Sequence, residues 1–236
     1  MEIKQDKIKV IGFDADDTLW VNETYFRETE HEFAKLLSGY ETENKIDQEL
    51  FMMEIKNLEF YGYGIKGFVL SMIESAIDLS NGKVSNATIS KILNLGKEML
   101  AKPVELIDDV ELVLSSLVDD YRLILLTKGD LLDQERKMEK SGLSKYFHHI
   151  EVLSDKKEEN YKNLLEHLEI EVDEFLMVGN SLKSDVLPLI NIGAQAIHIP
   201  FHTTWVHEEV SNQQAGGSYC SAEGIKEILP LLKKVN

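Results

Sequence analysis

Short apolar runs alternate with helical periodicity through the second half of the chain, and this alternation strongly constrains the fold. Residues 123–126 read Leu-Ile-Leu-Leu between polar neighbours, which is typical of a strand buried on both faces of a sheet. Further strands, each preceded by a helix, are predicted at 149–153, 174–178 and 194–199. Repeated units of this kind predict a parallel sheet with helices on both faces and an active site at the carboxyl ends of its strands.

A long helical stretch separates the first predicted strand, residues 7–14, from the others. Residues 20–105 show helical periodicity and almost no strand character, and Pro103 ends the block. We therefore predict an α/β core formed by residues 1–19 and 106–236. A helical cap domain, residues 20–105, is inserted after the first strand, where a lid over the strand end would have to begin.

The charge of the chain narrows the classes of partner. The sequence has 42 Asp and Glu against 25 Lys and Arg, for a formal charge of −17. Such a surface repels nucleic acid and anionic lipid, so we expect neither as a partner. The single cysteine, Cys220, excludes an intrachain disulfide and fits a reducing compartment. The charged N-terminal segment and the lack of a long apolar run predict a cytoplasmic protein without a membrane span.

Acidic residues follow the first strand directly. The apolar run 10–13 leads into Asp14, Asp16 and Asp17. Concentrating carboxylates at the end of a buried strand is costly unless a cation compensates them, and Mg²⁺ prefers such hard oxygen ligands. An aspartate beside the cation can also attack phosphorus as a nucleophile. The alternative is an acidic turn that only ends a strand.

Three further polar motifs follow three later strands. These motifs are Thr127-Lys128-Gly129, the pair Lys156 and Lys157, and Gly179-Asn180-Ser181 with Asp185. Each motif alone is typical of a solvated loop. Because all four motifs follow predicted parallel strands, they indicate one common site.

The four motifs together resemble those of the haloacid dehalogenase superfamily, and the resemblance covers essentially the whole chain. The matching residues are Asp14-Ala15-Asp16-Asp17-Thr18, Thr127, Lys156 and Gly179-Asn180-Ser181-Leu182-Lys183-Ser184-Asp185. The helical insertion after the first motif is similar to that of the helical-cap subgroup. The resemblance implies a Rossmann-like parallel sheet core with an inserted helical cap domain.

The resemblance also implies an activity, that of a magnesium-dependent phosphatase that hydrolyses a small phosphomonoester through an aspartyl-phosphate. It implies Asp14 as nucleophile, Asp16 as general acid and then base, and Lys156 as the cation that neutralises charge. The implied substrate and phosphate contacts are Thr18, Thr127, Lys128 and Lys157. The implied Mg²⁺ ligands are Asp14, Asp16 through its carbonyl, Asn180 and Asp185.

Asn180 is a departure from the family pattern, since most family phosphatases have a carboxylate there. An amide oxygen can bind Mg²⁺ but supplies no negative charge. Asp16 favours a phosphatase over a dehalogenase, because a leaving alcohol needs a proton and a halide does not. A dehalogenase-type C–X hydrolase, a phosphomutase and a catalytically weak binding protein stay as alternatives. Two choices also stay open: Lys156 against Lys157 as the catalytic lysine, and a phosphate-facing against a solvated Lys128.

Overall fold

The computed structural model describes residues 3–210 and 219–232. The chain divides into two compact units. The first unit, the sheet unit, consists of Met1–Glu23, Val104–Lys128 and Arg136–Asn236. The second unit, the helical unit, consists of Thr24–Pro103 and Gly129–Glu135. The predicted core and cap boundaries at 19/20 and 105/106 stay predictions.

Parallel strands build the sheet unit. The strands are β1 (Val10–Phe13), β2 (Arg122–Lys128), β3 (His149–Leu153), β4 (Phe175–Gly179), β5 (Gln195–His198) and β6 (Cys220–Ser221). They lie in the order β3-β2-β1-β4-β5-β6, and every neighbouring pair is parallel. The predicted α/β fold with a parallel sheet is confirmed. Because β3, β2, β1 and β4 are consecutive neighbours, the loops that follow them start side by side.

The described helices are α1 (Glu23–Leu37), α2 (Glu43–Tyr61), α3 (Ile65–Leu79), α4 (Asn86–Ala101), α5 (Val110–Leu117), α6 (Leu131–Ser141), α7 (Glu158–His167), α8 (Leu187–Ile192) and α9 (Leu229–Leu232). The helices α1 to α8 lie in stretches where the sequence predicts helices, and α9 near the end of the described chain was not predicted. A π-helical turn, Leu182–Val186, precedes α8. Within the described part of the chain, no helix has both the length and the hydropathy of a membrane-spanning segment.

Both faces of the sheet are covered, which explains the unbroken apolar runs. Side chains alternate along a strand, so Leu123 and Leu125 of β2 enter one buried cluster while Ile124 and Leu126 enter the other. Helices α5, α6 and α9 contribute to the first cluster, and α7 and α8 to the second. The helices therefore form a layer on each side of the sheet, as the sequence predicts.

The helical unit has its own apolar core. Its buried side chains come from α1 to α4, including Phe33, Leu50, Phe68 and Ile92. Ser85 caps α4, with its side chain accepting a hydrogen bond from the Thr88 amide. Helix α3 ends before two left-handed residues, Asn81 and Gly82.

The start of α6 also belongs to the helical unit, which the sequence did not predict. The Lys66 ammonium lies 2.8 Å from Oδ1 of Asp130, the residue that precedes α6. A Cβ atom on Gly64, which has a φ of +104°, would lie 3.1 Å from the Asp130 amide nitrogen. Contacts between residues so far apart in the chain leave no local pattern in the sequence.

Candidate active site

Asp14 lies at the point where β1 leaves the sheet, and its surroundings define the centre of the site. Its amide donates to the carbonyl of Val178, so the β1–β4 ladder fixes the backbone of Asp14. The carboxylate is buried, with Oδ1 2.5 Å from the Lys156 ammonium and Oδ2 accepting from the Thr18 hydroxyl at 3.0 Å. Burial raises the pKa of Asp14 to about 7, although the charge of Lys156 opposes this shift.

Lys156 joins two carboxylates from different loops. Its ammonium also lies 2.7 Å from Oδ1 of Asp185, and both side chains are only 1% exposed. Burial acts to lower the pKa of Lys156, but the charges of Asp14 and Asp185 outweigh burial and raise it. The neighbouring Lys157 is different, since its side chain is 77% exposed and pairs with Asp155 at 2.7 Å. Of the two lysines, the structure brings Lys156 to Asp14 and directs Lys157 to the surface.

The loop after β4 brings Asp185 and Asn180 to the same place. The Ser181 amide donates to Oδ2 of Asp185 at 3.0 Å, and Oδ1 of Asn180 accepts from the Thr18 hydroxyl at 3.3 Å. Gly179 makes this close packing possible, because a Cβ atom there would lie 2.3 Å from Oδ2 of Asp185. The structure therefore groups Asp14, Thr18, Lys156, Asn180 and Asp185.

Asp16 has separate partners, although it lies two residues from Asp14. Its Oδ1 accepts from the indole nitrogen of Trp20 at 2.7 Å and from the Lys137 ammonium at 2.9 Å. Lys137 lies on α6, and the sequence did not identify it as a site residue. The carboxylate of Asp16 is thus fixed by groups other than those that hold Asp14.

Asp17 is the third acid of the motif, and it caps a helix. Its φ is +61°, and its carboxylate accepts from the amides of Asn22 and Glu23 at 2.8 to 3.1 Å. Glu23 begins α1, so Asp17 satisfies donors that the first helical turn leaves unpaired. Burial raises the pKa of Asp17 to about 7, against the effect of these amide hydrogen bonds.

Thr127 and Lys128 lie at the end of β2. Thr127 is buried, and its hydroxyl donates to the carbonyl of Lys128 at 3.1 Å. The Lys128 ammonium lies 2.6 Å from Oε1 of Glu208 and 2.9 Å from the Ser184 hydroxyl. The Lys128 side chain is only 14% exposed, so Lys128 is not a solvated lysine. Its contact with a phosphate stays a prediction.

Glu208 is a structural element of the site that the sequence did not reveal. Its Oε2 accepts from the hydroxyls of Ser181 and Ser184, which belong to the loop that carries Asp185. Burial acts to raise the pKa of Glu208, but Lys128 and the two hydroxyls outweigh burial and lower it to about 2. Of the residues that bind its carboxylate here, Ser184 is the nearest along the chain at a separation of 24 residues, so no local motif marks this contact.

The donor set fits a magnesium ion. Asp14 and Asp185 share one ammonium, so the buried group keeps an excess of negative charge, and Asn180 adds an amide oxygen. These are hard oxygen ligands of the type that Mg²⁺ prefers. Among residues 3–210 and 219–232, no three acidic, histidine or cysteine side chains converge as a ligand set. A third protein ligand would therefore be an amide or backbone carbonyl oxygen, which agrees with Asn180 and the Asp16 carbonyl.

Comparison with known protein families identifies the class of protein to which this chain belongs. The family model described as haloacid dehalogenase-like hydrolase matches residues 8–193, which is more than half of the chain. The chain therefore belongs to the haloacid dehalogenase-like hydrolases, as the four motifs indicate.

Known relatives include phosphatases of this class. The N-acylneuraminate-9-phosphatase of Mus musculus is 27% identical over 213 residues, which cover 86% of this chain and 84% of that protein. A haloacid dehalogenase-like family hydrolase from Xanthomonas campestris is 38% identical, with a TM-score of 0.81 over 95% of this chain and 92% of that chain. A haloacid dehalogenase-type (HAD) hydrolase from Bacillus subtilis, whose structure was solved with bound magnesium, shares the fold at 16% identity. Its TM-score is 0.64 over 96% of this chain and 99% of that chain.

Gly179→Ala tests the packing of the Asp185 loop. The added methyl group would overlap the Asp185 carboxyl group, so the loop has to move. We expect the free energy of unfolding to fall by about 1–3 kcal/mol, as in other overpacked sites, and hydrolase activity to fall with it. Urea unfolding measures the first effect. The matched control is Gly224→Ala, where the new methyl group meets no atom within 4 Å; equal stability of the two variants would contradict the role of Gly179.

Glu208→Gln tests the ion pair behind this loop. The pKa of Glu208 in the folded protein, about 2, lies below its ordinary value of 4.5. Its ionised form therefore stabilises the fold fully above pH 4.5, and this contribution is lost as the pH falls from 4.5 towards 2. We expect wild type to exceed Glu208→Gln in stability by about 2–3 kcal/mol at pH 6. The difference should shrink at pH 3.

Urea unfolding at both pH values measures this difference. Glu209→Gln, a change at the exposed neighbouring glutamate, is the control for the loss of one negative charge. A difference between wild type and Glu208→Gln that does not depend on pH would contradict the ion pair.

Proposed function

We propose that this hydrolase is a magnesium-dependent phosphatase that acts on a small phosphomonoester through an aspartyl-phosphate on Asp14. The observation that supports this most directly is the buried Lys156 ammonium between Asp14 and Asp185. The relatives named as N-acylneuraminate-9-phosphatases support the phosphatase class. A phosphorylated sugar acid is therefore the first substrate class to screen.

In the proposed reaction, an Asp14 oxygen attacks phosphorus and the bond to the leaving alcohol oxygen breaks. Asp16 gives its proton to the oxygen of that alcohol and becomes a carboxylate. A water molecule, deprotonated by Asp16, then attacks phosphorus, and the bond to Asp14 breaks. Inorganic phosphate and free Asp14 are formed, and Asp16 holds a proton again.

The remaining groups act by position and charge. Lys156 offsets the negative charge of Asp14 and the phosphoryl group, and Thr127 with nearby amides binds the phosphoryl oxygens. Thr18 holds the second oxygen of Asp14 by a hydrogen bond. Mg²⁺, held by Asp14, Asn180, Asp185 and the Asp16 carbonyl, would supply further charge neutralisation.

Asp16 also favours the phosphatase over the dehalogenase alternative. A C–X displacement has no use for an acid at this place, since halide leaves without a proton. Here Asp16 is held by two donors, Trp20 and Lys137, in a half-buried position. Such fixed placement supports a residue that exchanges protons with a substrate. The cytoplasmic location and the helical cap as a lid that closes over the substrate stay predictions.

Asp14→Asn tests the proposed nucleophile. An amide cannot form the phosphoenzyme, so we expect hydrolysis of para-nitrophenyl phosphate to fall by at least about 10³-fold. Wild type should lose activity in EDTA and regain it with added Mg²⁺. Circular dichroism of the variant checks that it folds. Full wild-type turnover in EDTA would contradict the magnesium role, and turnover by Asp14→Asn would contradict the nucleophile.

Asn180→Asp tests the amide ligand. A carboxylate at this position adds negative charge beside Asp14 and Asp185, so we expect half-maximal activity at a lower Mg²⁺ concentration, by about tenfold. Asn180→Ala should need more Mg²⁺ than wild type, because it removes the oxygen. Magnesium titrations of initial rates give all three values. Identical titrations would show that residue 180 does not contact the ion.

A further inference from the structure

Lys137 contacts the carboxylate that the proposed reaction uses for proton transfer. It lies on α6, 121 residues from Asp16, and its ammonium reaches Oδ1 of Asp16 at 2.9 Å and Oδ1 of Asn22 at 2.7 Å. The side chains of Lys137 and Asp16 are 16% and 23% exposed, so the contact is largely shielded from water. Shielding makes the attraction stronger than that of a surface pair.

Trp20 supplies a second donor to the same oxygen. Its indole nitrogen lies 2.7 Å from Oδ1 of Asp16, and its ring is buried in the core of the sheet unit. The carbonyl of Trp20 accepts from the Asp17 amide at 2.7 Å, so the loop folds back on itself. One donor therefore comes from the rigid core and the other from α6. Two donors from different elements restrict the rotation of a carboxylate more than one does.

We propose that Lys137 is a positioning residue that orients Asp16 towards the leaving group. This inference rests on the proposed phosphatase function. In this role Lys137 acts through the Asp16 carboxylate, which its ammonium links to Asn22 in the same loop. Loss of Lys137 leaves Asp16 in place but allows it to turn away from the leaving oxygen.

The dependence of the reaction rate on the leaving group distinguishes this role of Lys137 from a purely structural one. Para-nitrophenolate leaves readily without a proton, whereas phenolate and ethoxide leave much better when an acid protonates them. A misdirected Asp16 therefore slows phenyl phosphate and ethyl phosphate far more than para-nitrophenyl phosphate. A general loss of folded or active enzyme lowers kcat/KM for all three substrates by the same factor.

The experiment compares kcat/KM for these three substrates in wild type and Lys137→Met with saturating Mg²⁺. This parameter reports the transfer to Asp14, which is the step that needs the acid. We expect a loss of about threefold or less for para-nitrophenyl phosphate and on the order of 10–100-fold for phenyl and ethyl phosphate. Lys137→Arg, which keeps a cationic donor, should recover most of the loss.

Lys140→Met is the matched control, because it removes the same charge from an exposed position on the same helix. It should behave as wild type with all three substrates. If Lys137→Met does not fold, Lys137→Gln replaces it, since glutamine keeps the length and polarity of the side chain without its charge. An equal loss for all substrates, or no loss, overturns the positioning role.

Wild type itself distinguishes failure of this inference from failure of the proposed function. Wild type that hydrolyses none of the three phosphates contradicts the phosphatase, not the contact between Lys137 and Asp16. Crystal structures of wild type and Lys137→Met then decide the inference directly. We expect one orientation of the Asp16 carboxylate in wild type and more than one in the variant. A single unchanged orientation in the variant overturns the inference.

Discussion

The ammonium of Lys156 between Asp14 and Asp185 is the interaction on which the rest of the site depends. Two buried carboxylates that share one ammonium repel each other, and both have lost their hydration. Removal of one partner from a buried ion pair typically costs about 3–5 kcal/mol. The three charges come from loops after β1, β3 and β4. The strands β3, β2, β1 and β4 therefore have to pair in parallel before the three charges can compensate each other.

Those parts of the fold and site that rest on local patterns could be predicted from the sequence. Apolar runs predicted the five longer strands, and the polar residues after four of them predicted the grouping of Asp14 with Lys156 and Asp185. The choice between Lys156 and Lys157 could not be made from the residues alone. Two adjacent lysines have the same chemistry, and only the backbone of the loop decides which one is buried.

Two residues of the site, Lys137 and Glu208, were missed because their partners lie far away in the chain. Lys137 resembles any solvated lysine on an amphipathic helix until the sheet brings Asp16 to it. Glu208 ends a short 3₁₀ turn, Val206–Glu208, and its ion pair with Lys128 spans 80 residues. Asp17 was visible as part of the acidic motif, but its cap reaches five and six residues forward, beyond the spacing of an ordinary N-cap. Tertiary contacts determine the roles of Lys137 and Glu208, and the path of one loop determines that of Asp17.

Asp14 and Asp16 show how one residue type can serve two tasks within a single loop. A nucleophile needs a fixed oxygen near a cation, and Asp14 has Lys156 on one oxygen and Thr18 on the other. A residue that exchanges protons must meet a leaving group and water, and Asp16 keeps partial exposure. Asn180 completes this division of charge. A carboxylate at position 180 would be the third negative charge around the single ammonium of Lys156 and would add repulsion. The amide oxygen of Asn180 can bind a cation without adding that repulsion.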